Sequence, residues 1–534
     1  MDLITQQLTN LSRRGLLRGI SATAALAVLQ PLTATRVRAD PVFKAYPFSL
    51  GVASGDPWPD NVLIWTRLAP EPLDGGGMPA LAVPVKWEVA ADAQFRTVVQ
   101  RGQTLARPEL GHSVHVEVGG LEPARPYWYR FIAGVEVSPT GRTKTAPAAG
   151  TMPSLIRFAN LGCQRYEDGF FTAFGHCAKE DLDFAFHYGD YIYEYRNRRG
   201  PAPQVRDIKG DEIYTIVDYR NRYAQYKMDP DLQAAHHAFP FITSFDDHEV
   251  DNNWAGEFSE EDESNRFVAS VPNEIFALRK QMAFNAWYEN SPVRYAQLPR
   301  GPAINAFRRL NYGRLAQIDV LDTRQYRDDQ PCGDITGPAC PAVANPNAQI
   351  MGPTQEKWLF DGLAASQAVW KVMAQQVMVT PRAVPNPAGD PFISMDKWDA
   401  YPAARERLLK HLHERNVKGL VVLTGDLHNA WAGELKLDVR DIKSPTLGTE
   451  FIATSISTGG DGFDINDGFQ RTLDINPHIK WVNNRRGYTV HEASEKRMDV
   501  AFRAVDYVSR PGAPLVTKAK FVVEPDNGGG VNKA

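Results

Sequence analysis

The stretch Phe186–Glu194, FHYGDYIYE, indicates the class of fold. It continues the apolar, aromatic-rich run DLDFA (181–185), then places Asp190 directly after a glycine and Tyr193 three residues later. A short apolar run bounded by glycine and polar residues is typical of a buried β-strand. We therefore predict a strand that ends near Gly189 and is followed by a turn carrying a carboxylate and a phenol.

The same arrangement recurs along the second part of the chain. Beyond a Pro/Gly/Ala-rich linker at 146–154, apolar strands alternate with helical segments, one of them over 219–239, which indicates an α/β fold with helices packed on central sheets. Polar side chains follow five of these strands: Cys163, Asp190 with Tyr193, Asp246-Asp247-His248-Glu249, Asp322 with Arg324, and Asp426 with His428. A single aspartate there is typical of a turn or a helix cap. Five such strand ends predict a ligand site at the carboxyl edge of the sheet.

Residues 46–146 have the pattern of an all-β domain. Short runs with local alternation are separated by Gly/Pro turns, and they read SLGVASGDP, NVLIWTRL, VPVKWEVA, HSVHVEVGGL, YWYRFIAG and GRTKTAP. This spacing predicts a fibronectin- or immunoglobulin-like sandwich. We therefore expect a sandwich domain over 40–148 and a larger α/β domain over 149–534.

The first 39 residues have the pattern of a targeting segment rather than of a fold. Ser12-Arg13-Arg14-Gly15-Leu16-Leu17 and a short apolar run precede Val37-Arg38-Ala39, a cleavage pattern that leaves Asp40 as the mature start. The apolar run is well short of the roughly 20 residues that span a bilayer. The paired arginines predict a twin-arginine signal, the twin-arginine translocase as a partner during export, and a periplasmic or secreted protein. An ordinary secretory signal with a basic start is the alternative.

Charge and cysteine content limit the partners. Residues 1–39 hold five arginines and one acidic residue, so their removal moves the formal charge from −4 to −8. An acidic surface argues against nucleic acid as the main partner, and no later apolar run is long enough for stable membrane insertion. In an oxidising compartment, Cys332 and Cys340 in CGDITGPAC are predicted to form a local disulfide.

The side chains at the strand ends suit metal ions. Carboxylates and imidazoles bind divalent metals, and a tyrosine with an ordinary pKa near 10 ligates only an ion that removes its proton. Fe³⁺ does this and Ca²⁺ does not, so Gly-Asp-x-x-Tyr predicts ferric iron, with Asp190 placed to bridge to a second ion. Two ions roughly 3.5–4 Å apart stabilise the attacking and leaving oxygens of phosphoryl transfer.

Several motifs together resemble those of the alkaline phosphatase D (PhoD) family. They are GVASGDP, LGCQ, GDYIYE, DDHEVDNNW, LDTRQYR and LTGDLHN, in this order from about residue 46 to 510. The resemblance implies a metallophosphatase-like catalytic domain over 149–534 that contains Fe³⁺ and Ca²⁺. Carried over to this sequence, it implies three iron ligands with Asp190 bridging, and a remaining set whose division between iron and calcium stays open. The iron ligands are Cys163, Asp190 and Tyr193, and the others are Asp247, Asp426 and His428.

Three further residues are given roles beside this set. Asn253 is predicted to neighbour calcium or phosphate, with capping of its loop as the alternative. Arg324 is predicted to donate a bidentate fork to phosphate oxygens, with an ion pair to Asp322 or Asp328 as the alternative. His248 is predicted to assist the leaving group. Glu249 is predicted to orient a ligand rather than to be one.

The resulting expectation is an exported, metal-dependent phosphoesterase that hydrolyses phosphate esters with a metal-activated hydroxide. Relatives in the family act on monoesters, and others cleave diesters including phospholipids, so a phospholipase D-like phosphodiesterase is the alternative. A secreted binding module that catalyses no reaction is a second, more remote alternative.

Overall fold

The computed structural model describes residues 42–196, 204–259, 271–526 and 530–534. The predicted twin-arginine signal at 1–39 lies outside these residues. The expected disulfide between Cys332 and Cys340 is present, with the two Cα atoms 5.9 Å apart. Among the described residues, no helix combines the length and the apolarity needed to cross a bilayer.

The N-terminal region is all-β, as predicted. Its strands are β1 (Val52–Gly55), β2 (Asn61–Arg67), β3 (Val83–Ala90), β4 (Val98–Ala106), β5 (Ser113–Gly119), β6 (Pro126–Ala133), β7 (Glu136–Val137) and β8 (Gly141–Lys144). One antiparallel sheet has the order β4-β3-β6-β7, with β8 also on β6. The facing sheet contains β1, β2 and β5. β4 was not predicted from the sequence because its run VVQRGQTLA has no continuous apolar stretch, and all of its residues except the last are at least partly exposed.

The sandwich owes its core to period-two alternation. In β6, the side chains of Tyr127, Tyr129, Phe131 and Ala133 are buried while the residues between them are partly exposed. This is the pattern of a strand with one face against a core. The sandwich is also continuous with the rest of the molecule, because β1 pairs in parallel with a strand of the second region through Gly55 and Phe241.

The second region contains the remaining strands and the α-helices. The strands are β9 (Ile156–Leu161), β10 (Phe184–His187), β11 (Phe241–Thr243), β12 (Arg308–Tyr312), β13 (Ala316–Val320), β14 (Thr336–Gly337), β15 (Trp370–Ala374), β16 (Ile393–Ser394), β17 (Leu420–Thr424), β18 (Ala430–Lys436), β19 (Thr446–Ile452), β20 (Gly462–Phe463), β21 (Ile479–Ala493), β22 (Met498–Val505), β23 (Leu515–Val523) and β24 (Asn532–Lys533). The helices are α1 (Thr172–Cys177), α2 (Ile216–Lys227), α3 (Pro230–Ala238), α4 (Asn273–Asn290), α5 (Gly352–Ala365), α6 (Pro402–Glu414) and α7 (Asp467–Ile475).

Two mixed sheets meet at the long strand β21. On one side, β9, β10 and β11 are parallel neighbours, and β9 pairs with β21. On the other side, β13, β15, β17 and β19 are parallel, and β18 connects them to β21. The parallel strands are almost wholly buried, which explains their continuous apolar runs. Their carboxyl ends converge, and the predicted site residues follow them.

The helical segment expected over 219–239 is two helices. Pro230 has no backbone N–H and disfavours helical geometry at the residue before it, so α2 ends at Lys227. Asp229 then caps α3, since its side chain accepts hydrogen bonds from the backbone of Asp231 and Leu232.

Candidate metal centre

The turns after β9 and β10 bring Cys163 and Asp190 together. The backbone N–H of Cys163 donates to the carbonyl of Gly189 at 3.1 Å, and that of Gln164 donates to the carbonyl of Asp190 at 3.1 Å. Gly189 has a φ of +136°, and a Cβ there would lie 2.3 Å from the backbone nitrogen of Asp246. The glycine of the GD motif is therefore required where the turns after β10 and β11 pack against each other.

Asp190 is the centre of the first group of predicted ligands. Its Oδ2 lies 3.2 Å from Cys163 Sγ, 2.8 Å from Tyr193 Oη and 3.8 Å from His428 Nε2. Tyr193 Oη also lies 3.1 Å from His428 Nε2 and 2.8 Å from Thr458 Oγ1. Side chains from the ends of β9, β10 and β17 thus meet at one carboxylate.

A second group of carboxylates adjoins the first. Ligand atoms of Asp246, Asp247 and Asp426 all lie within 4.8 Å of one another, and so do those of Asp190, Asp247 and His248. Buried oxygens of three of these side chains have no hydrogen-bond donor in the described part of the chain: Asp190 Oδ1, Asp246 Oδ2 and Asp247 Oδ1. Clustered carboxylate oxygens of this kind suit a cation, because burying them without a partner is costly.

The backbone at the site is strained in a repeated way. Positive φ values near 50–64° occur at four of the predicted ligands, Cys163, Asp190, Asp426 and His428, and at their predicted neighbour Asn253. Non-glycine residues rarely adopt this left-handed conformation, which costs about 1–3 kcal/mol each and clusters at functional sites. The turns therefore hold the side chains in positions that relaxed backbone would not produce.

Glu249 holds two of these turns in place. Its Oε2 accepts the backbone N–H of Asp190 at 3.1 Å and that of Asp246 at 2.8 Å, and its Oε1 accepts that of Tyr191 at 2.6 Å. Burial raises the pKa of Glu249 to about 8, and the charge of Asp190 adds to the shift. Glu249 thus contacts the backbone of Asp190, a predicted ligand, and its orienting role stays a prediction.

His248 lies between an acid and the aromatic ligand. Its Nδ1 is 2.7 Å from Glu194 Oε2, and its ring centroid is 4.1 Å from that of Tyr193. The other oxygen of Glu194 accepts the backbone N–H of Asn252. Burial lowers the pKa of His248, but Glu194 and Asp247 outweigh it and hold that pKa well above its usual value. The imidazole is thus held by an acid at Nδ1, and Nε2 is the nitrogen that this contact does not use.

Arg324 is held by carboxylates, but not by those named in the alternative. It is fully buried, its Nε donates to Asp246 Oδ1 at 2.6 Å, and its Nη1 donates to Asp396 Oδ1 at 2.6 Å. Asp322 instead accepts the backbone N–H of Arg324. Asp247 Oδ1 and Asp426 Oδ1 are further away, at 3.5 and 3.7 Å from Nη2. The guanidinium therefore lies behind the carboxylate cluster as its counter-charge.

Asn253 lies at the rim of the cluster. Its backbone N–H donates to Asp247 Oδ2 at 2.8 Å, and its side-chain amide donates to Asp334 Oδ1 at 3.3 Å. A cavity of about 270 Å³ opens here, lined by Asn253, Asp334, Ile335, Thr336, Arg382, Ser394, Asp396, Lys397, Asp426 and Leu427. A cavity of about 320 Å³ near Leu412 and Pro525 contains none of the predicted site residues. The smaller cavity is therefore the one that belongs to the site.

The pKa shifts follow from burial and from like charge. Burial raises the pKa of the Cys163 thiol and of the Tyr193 phenol well above their usual values, and the charge of Asp190 raises both further. Burial also raises the pKa of Asp247, although Arg324 opposes it. Asp190 differs, because His248 and His428 outweigh burial and lower its pKa. A cation among these groups would reverse the upward shifts.

The donor set fits metal ions on these observations. Thiol, phenol, imidazole and carboxylate groups converge on Asp190, and buried carboxylate oxygens without donors adjoin them. Thiolate and imidazole suit transition metals, whereas an all-carboxylate group suits harder cations such as Ca²⁺. The two groups therefore differ in the kind of ion that they suit.

Several residues that contact the site were not identified from the sequence. Glu194 ends the quoted stretch FHYGDYIYE and lies one residue after a predicted ligand, which is the signal that could have identified it. Asp396 and Lys397 follow β16 in a run without a motif, and Thr458 follows β19. The guanidinium of Arg165, two residues after Cys163, lies 4.0 Å above the ring of Tyr193.

Comparison with known proteins identifies the family of this chain. The family model described as PhoD-like phosphatase matches residues 158–502, and that of the PhoD-like phosphatase N-terminal domain matches residues 33–147. Alkaline phosphatase D from Bacillus subtilis (strain 168) is 46% identical over 523 residues, which cover 97% of this chain and 88% of that protein. A solved structure of PhoD, also 46% identical, superposes with a TM-score of 0.89 and covers 92% of this chain and 93% of its own. The chain therefore belongs to the PhoD-like phosphatases and is a phosphoric ester hydrolase.

Proposed function

We propose that this phosphatase is an exported enzyme that hydrolyses phosphate esters with ferric iron and calcium at the centre described above. The observation that carries the proposal is the convergence of Cys163, Tyr193 and His428 on Asp190, beside a separate group of carboxylates. Export by the twin-arginine translocase to the periplasm or beyond rests on the Ser12–Leu17 motif. We also keep the predicted division into a sandwich at 40–148 and a catalytic domain at 149–534.

The ligands would divide by chemistry. Cys163, Tyr193 and Asp190 would hold iron, because a thiol and a phenol with raised pKa values give up their protons only to a strongly charged ion. Asp247 and Asp426 would hold calcium, with Asp190 shared and Asn253 at the rim. His428 would complete the iron side, since its Nε2 faces Tyr193 Oη. When bound, these ions would supply Lewis-acid stabilisation of the phosphoryl oxygens and an activated water.

The protein's own part in the reaction is positioning and proton transfer. The Nδ1 of His248 is held by Glu194, so its Nε2 is the group available to protonate the departing alcohol oxygen. Arg324 compensates the negative charge of Asp246 and Asp396 by hydrogen-bonded ion pairs to both. A direct contact between Arg324 and phosphate remains a prediction, although the buried ion pairs favour a positioning role.

The reaction is tested with two chromogenic substrates. Initial rates on p-nitrophenyl phosphate and bis(p-nitrophenyl) phosphate are compared for mature protein with calcium present and metal content verified. A comparable or faster monoester rate indicates a phosphatase, and a faster diester rate indicates a phosphodiesterase of the phospholipase D-like kind. No rate on either substrate, with the metals bound, would contradict the proposal and favour a binding module without turnover.

The choice of iron is tested by colour. Tyrosinate and thiolate ligands give ferric iron a visible absorption, so the purified enzyme should be coloured and Tyr193→Phe should remove or shift the band. Tyr195→Phe is the matched control, because Tyr195 neighbours Arg165 and His248 but is not a predicted ligand. An unchanged spectrum in Tyr193→Phe would exclude this tyrosine as a ligand.

A further inference from the structure

The cavity beside the metal centre presents two cations to its interior. Arg382 and Lys397 both line it, together with Asn253 and Asp426 on the side of the predicted ligands. Arg324, the cation that the sequence favoured for substrate binding, is fully buried and is not among the lining residues. The positive groups that a substrate meets in this cavity are therefore Arg382 and Lys397.

The two cations differ in their partners. Lys397 is compensated on both sides, because its Nζ contacts Asp426 Oδ2 and lies 2.8 Å from Asp396 Oδ2. The guanidinium of Arg382 forms no ion pair with a carboxylate in the described part of the chain. It lies beside the ring of Trp431, whose centroid is 5.6 Å from the guanidinium carbon.

The charges of Asp399 and Asp426 act on the guanidinium of Arg382, but both acids are paired with other cations, Asp399 with Arg405 and Asp426 with Lys397. The backbone N–H of Arg382 donates to Asp399 Oδ2 at 3.1 Å, while the other oxygen of Asp399 is paired with Arg405 Nη1 at 2.7 Å. Asp399 thus holds the main chain of Arg382 in place, while its ion pair is with Arg405. A half-buried guanidinium without a carboxylate partner favours an anion from outside the protein.

The position of Arg382 in the cavity indicates which part of a substrate it contacts. The phosphoryl group that is hydrolysed must lie near the predicted ligands, on the side of Asn253 and Asp426. The alcohol portion then extends along the remaining lining, which includes Arg382 and Thr336. With about 270 Å³, the cavity is near the lower limit of small-molecule sites, so it has room for the phosphoryl group and the adjoining part of the alcohol portion.

We infer that Arg382 is a specificity-determining residue that binds an anionic substituent, a carboxylate or a second phosphoryl group, on the alcohol portion of the phosphate ester. This inference rests on the proposed function. It assigns the substrate class of the site, which neither the resemblance nor the metal ligands define.

The test uses two matched substrates, 4-(carboxymethyl)phenyl phosphate and 4-ethylphenyl phosphate, which differ in the charge at the far end. The metal-loaded full-length enzyme should have the higher kcat/KM for the carboxymethyl substrate. In Arg382→Gln the ratio of the two kcat/KM values should fall by about tenfold, as expected for the loss of a charge-assisted hydrogen bond. Arg382→Lys should keep part of the ratio. Arg440→Gln, a change at an exposed arginine paired with Asp438, should leave it unchanged.

A binding measurement separates this inference from catalysis. Calorimetric titration with the phosphonates that carry the same two end groups should give the same ratio of affinities and the same loss in Arg382→Gln. Equal kcat/KM values for the two substrates in the wild-type enzyme, or an unchanged ratio in Arg382→Gln, would overturn the inference and leave the proposed function intact. No turnover of either substrate by the wild-type enzyme would overturn both.

Discussion

In the N-terminal sandwich, strand β6 buries Tyr127, Phe131 and Ala133 at alternate positions against an apolar core. At the metal centre, the buried groups are carboxylates, some with oxygens that lack a donor, on turns with positive φ. The first arrangement stabilises the folded chain directly, since apolar burial is the main favourable contribution to folding. The second costs free energy until cations compensate it. Stability and function are therefore carried by different regions, and substitutions in the two should have opposite signatures.

The largest effect is expected at a ligand. Asp247→Asn should lower kcat/KM by at least about a hundredfold, because losing even a group behind a metal ligand costs 10–100-fold. The metal-free variant should nevertheless unfold at a higher temperature than the metal-free wild type, since burial raises the pKa of Asp247. Activity assays and thermal melts in chelator measure the two effects.

The same substitution has a definite pH signature. A carboxyl group whose pKa is raised on folding stabilises the protein at low pH and loses that contribution as the pH rises through the folded pKa. The melting temperature of metal-free wild type should therefore lie furthest below that of Asp247→Asn at high pH, and this gap should narrow as the pH falls. A metal-free variant that is less stable than metal-free wild type at every pH would contradict the expected cost of burying the Asp247 carboxylate.

The opposite signature is expected in the sandwich. Phe131→Ala removes a fully buried ring from β6 and should lower the free energy of unfolding by about 3–5 kcal/mol while kcat/KM of the folded enzyme stays the same. Val135→Ala, at a position 91% exposed in the same region, should change stability by less than about 0.5 kcal/mol. Loss of kcat/KM in Phe131→Ala at temperatures where it remains folded would show that the two regions are coupled.

A smaller effect is expected at the seam between the regions. Lys227 is buried, with its Nζ 4.2 Å from the ring of Trp65 in the sandwich and 5.0 Å from that of Tyr191 beside the site. Burial lowers the pKa of Lys227 to about 7, and Arg67 contributes to the shift. The unfolded chain therefore binds this proton more tightly than the folded one. Between about pH 7 and 10, Lys227 should make stability rise with pH by on the order of 1 kcal/mol per unit.

Lys227→Met should remove this slope and stabilise the protein most near pH 7, which denaturant titrations across the pH range measure. Lys410, exposed and paired with Glu414 on α6, provides the matched control. A wild-type slope that persists in Lys227→Met would assign the titration to another group.

The site residues that could be predicted from the sequence are those that lie close to a local pattern, the apolar run of a strand. Each predicted ligand after β9, β10 or β17 follows an apolar run within a few positions, so the strand and the residue it presents are read together. Hydrogen-bond and ion-pair partners that come from distant segments of the chain could not be predicted in this way. Arg324 pairs with Asp246 and Asp396, 78 and 72 residues away, rather than with an acid nearby in the sequence.

The same limit applies to the fold. β21 joins both sheets because one half pairs with β18 and the other with β9, a topology that no local periodicity encodes. β4 was missed because strand pairing there depends on its neighbour β3 rather than on apolar content.

We propose that Cys163, Asp190 and Tyr193 hold iron at one point of this centre. Crystals of the purified, metal-replete enzyme measured on both sides of the iron absorption edge test it most directly. We predict an anomalous difference peak within bonding distance of Cys163 Sγ, Tyr193 Oη and an oxygen of Asp190. An occupied site without an iron signal, or an iron peak away from these three atoms, would contradict the account.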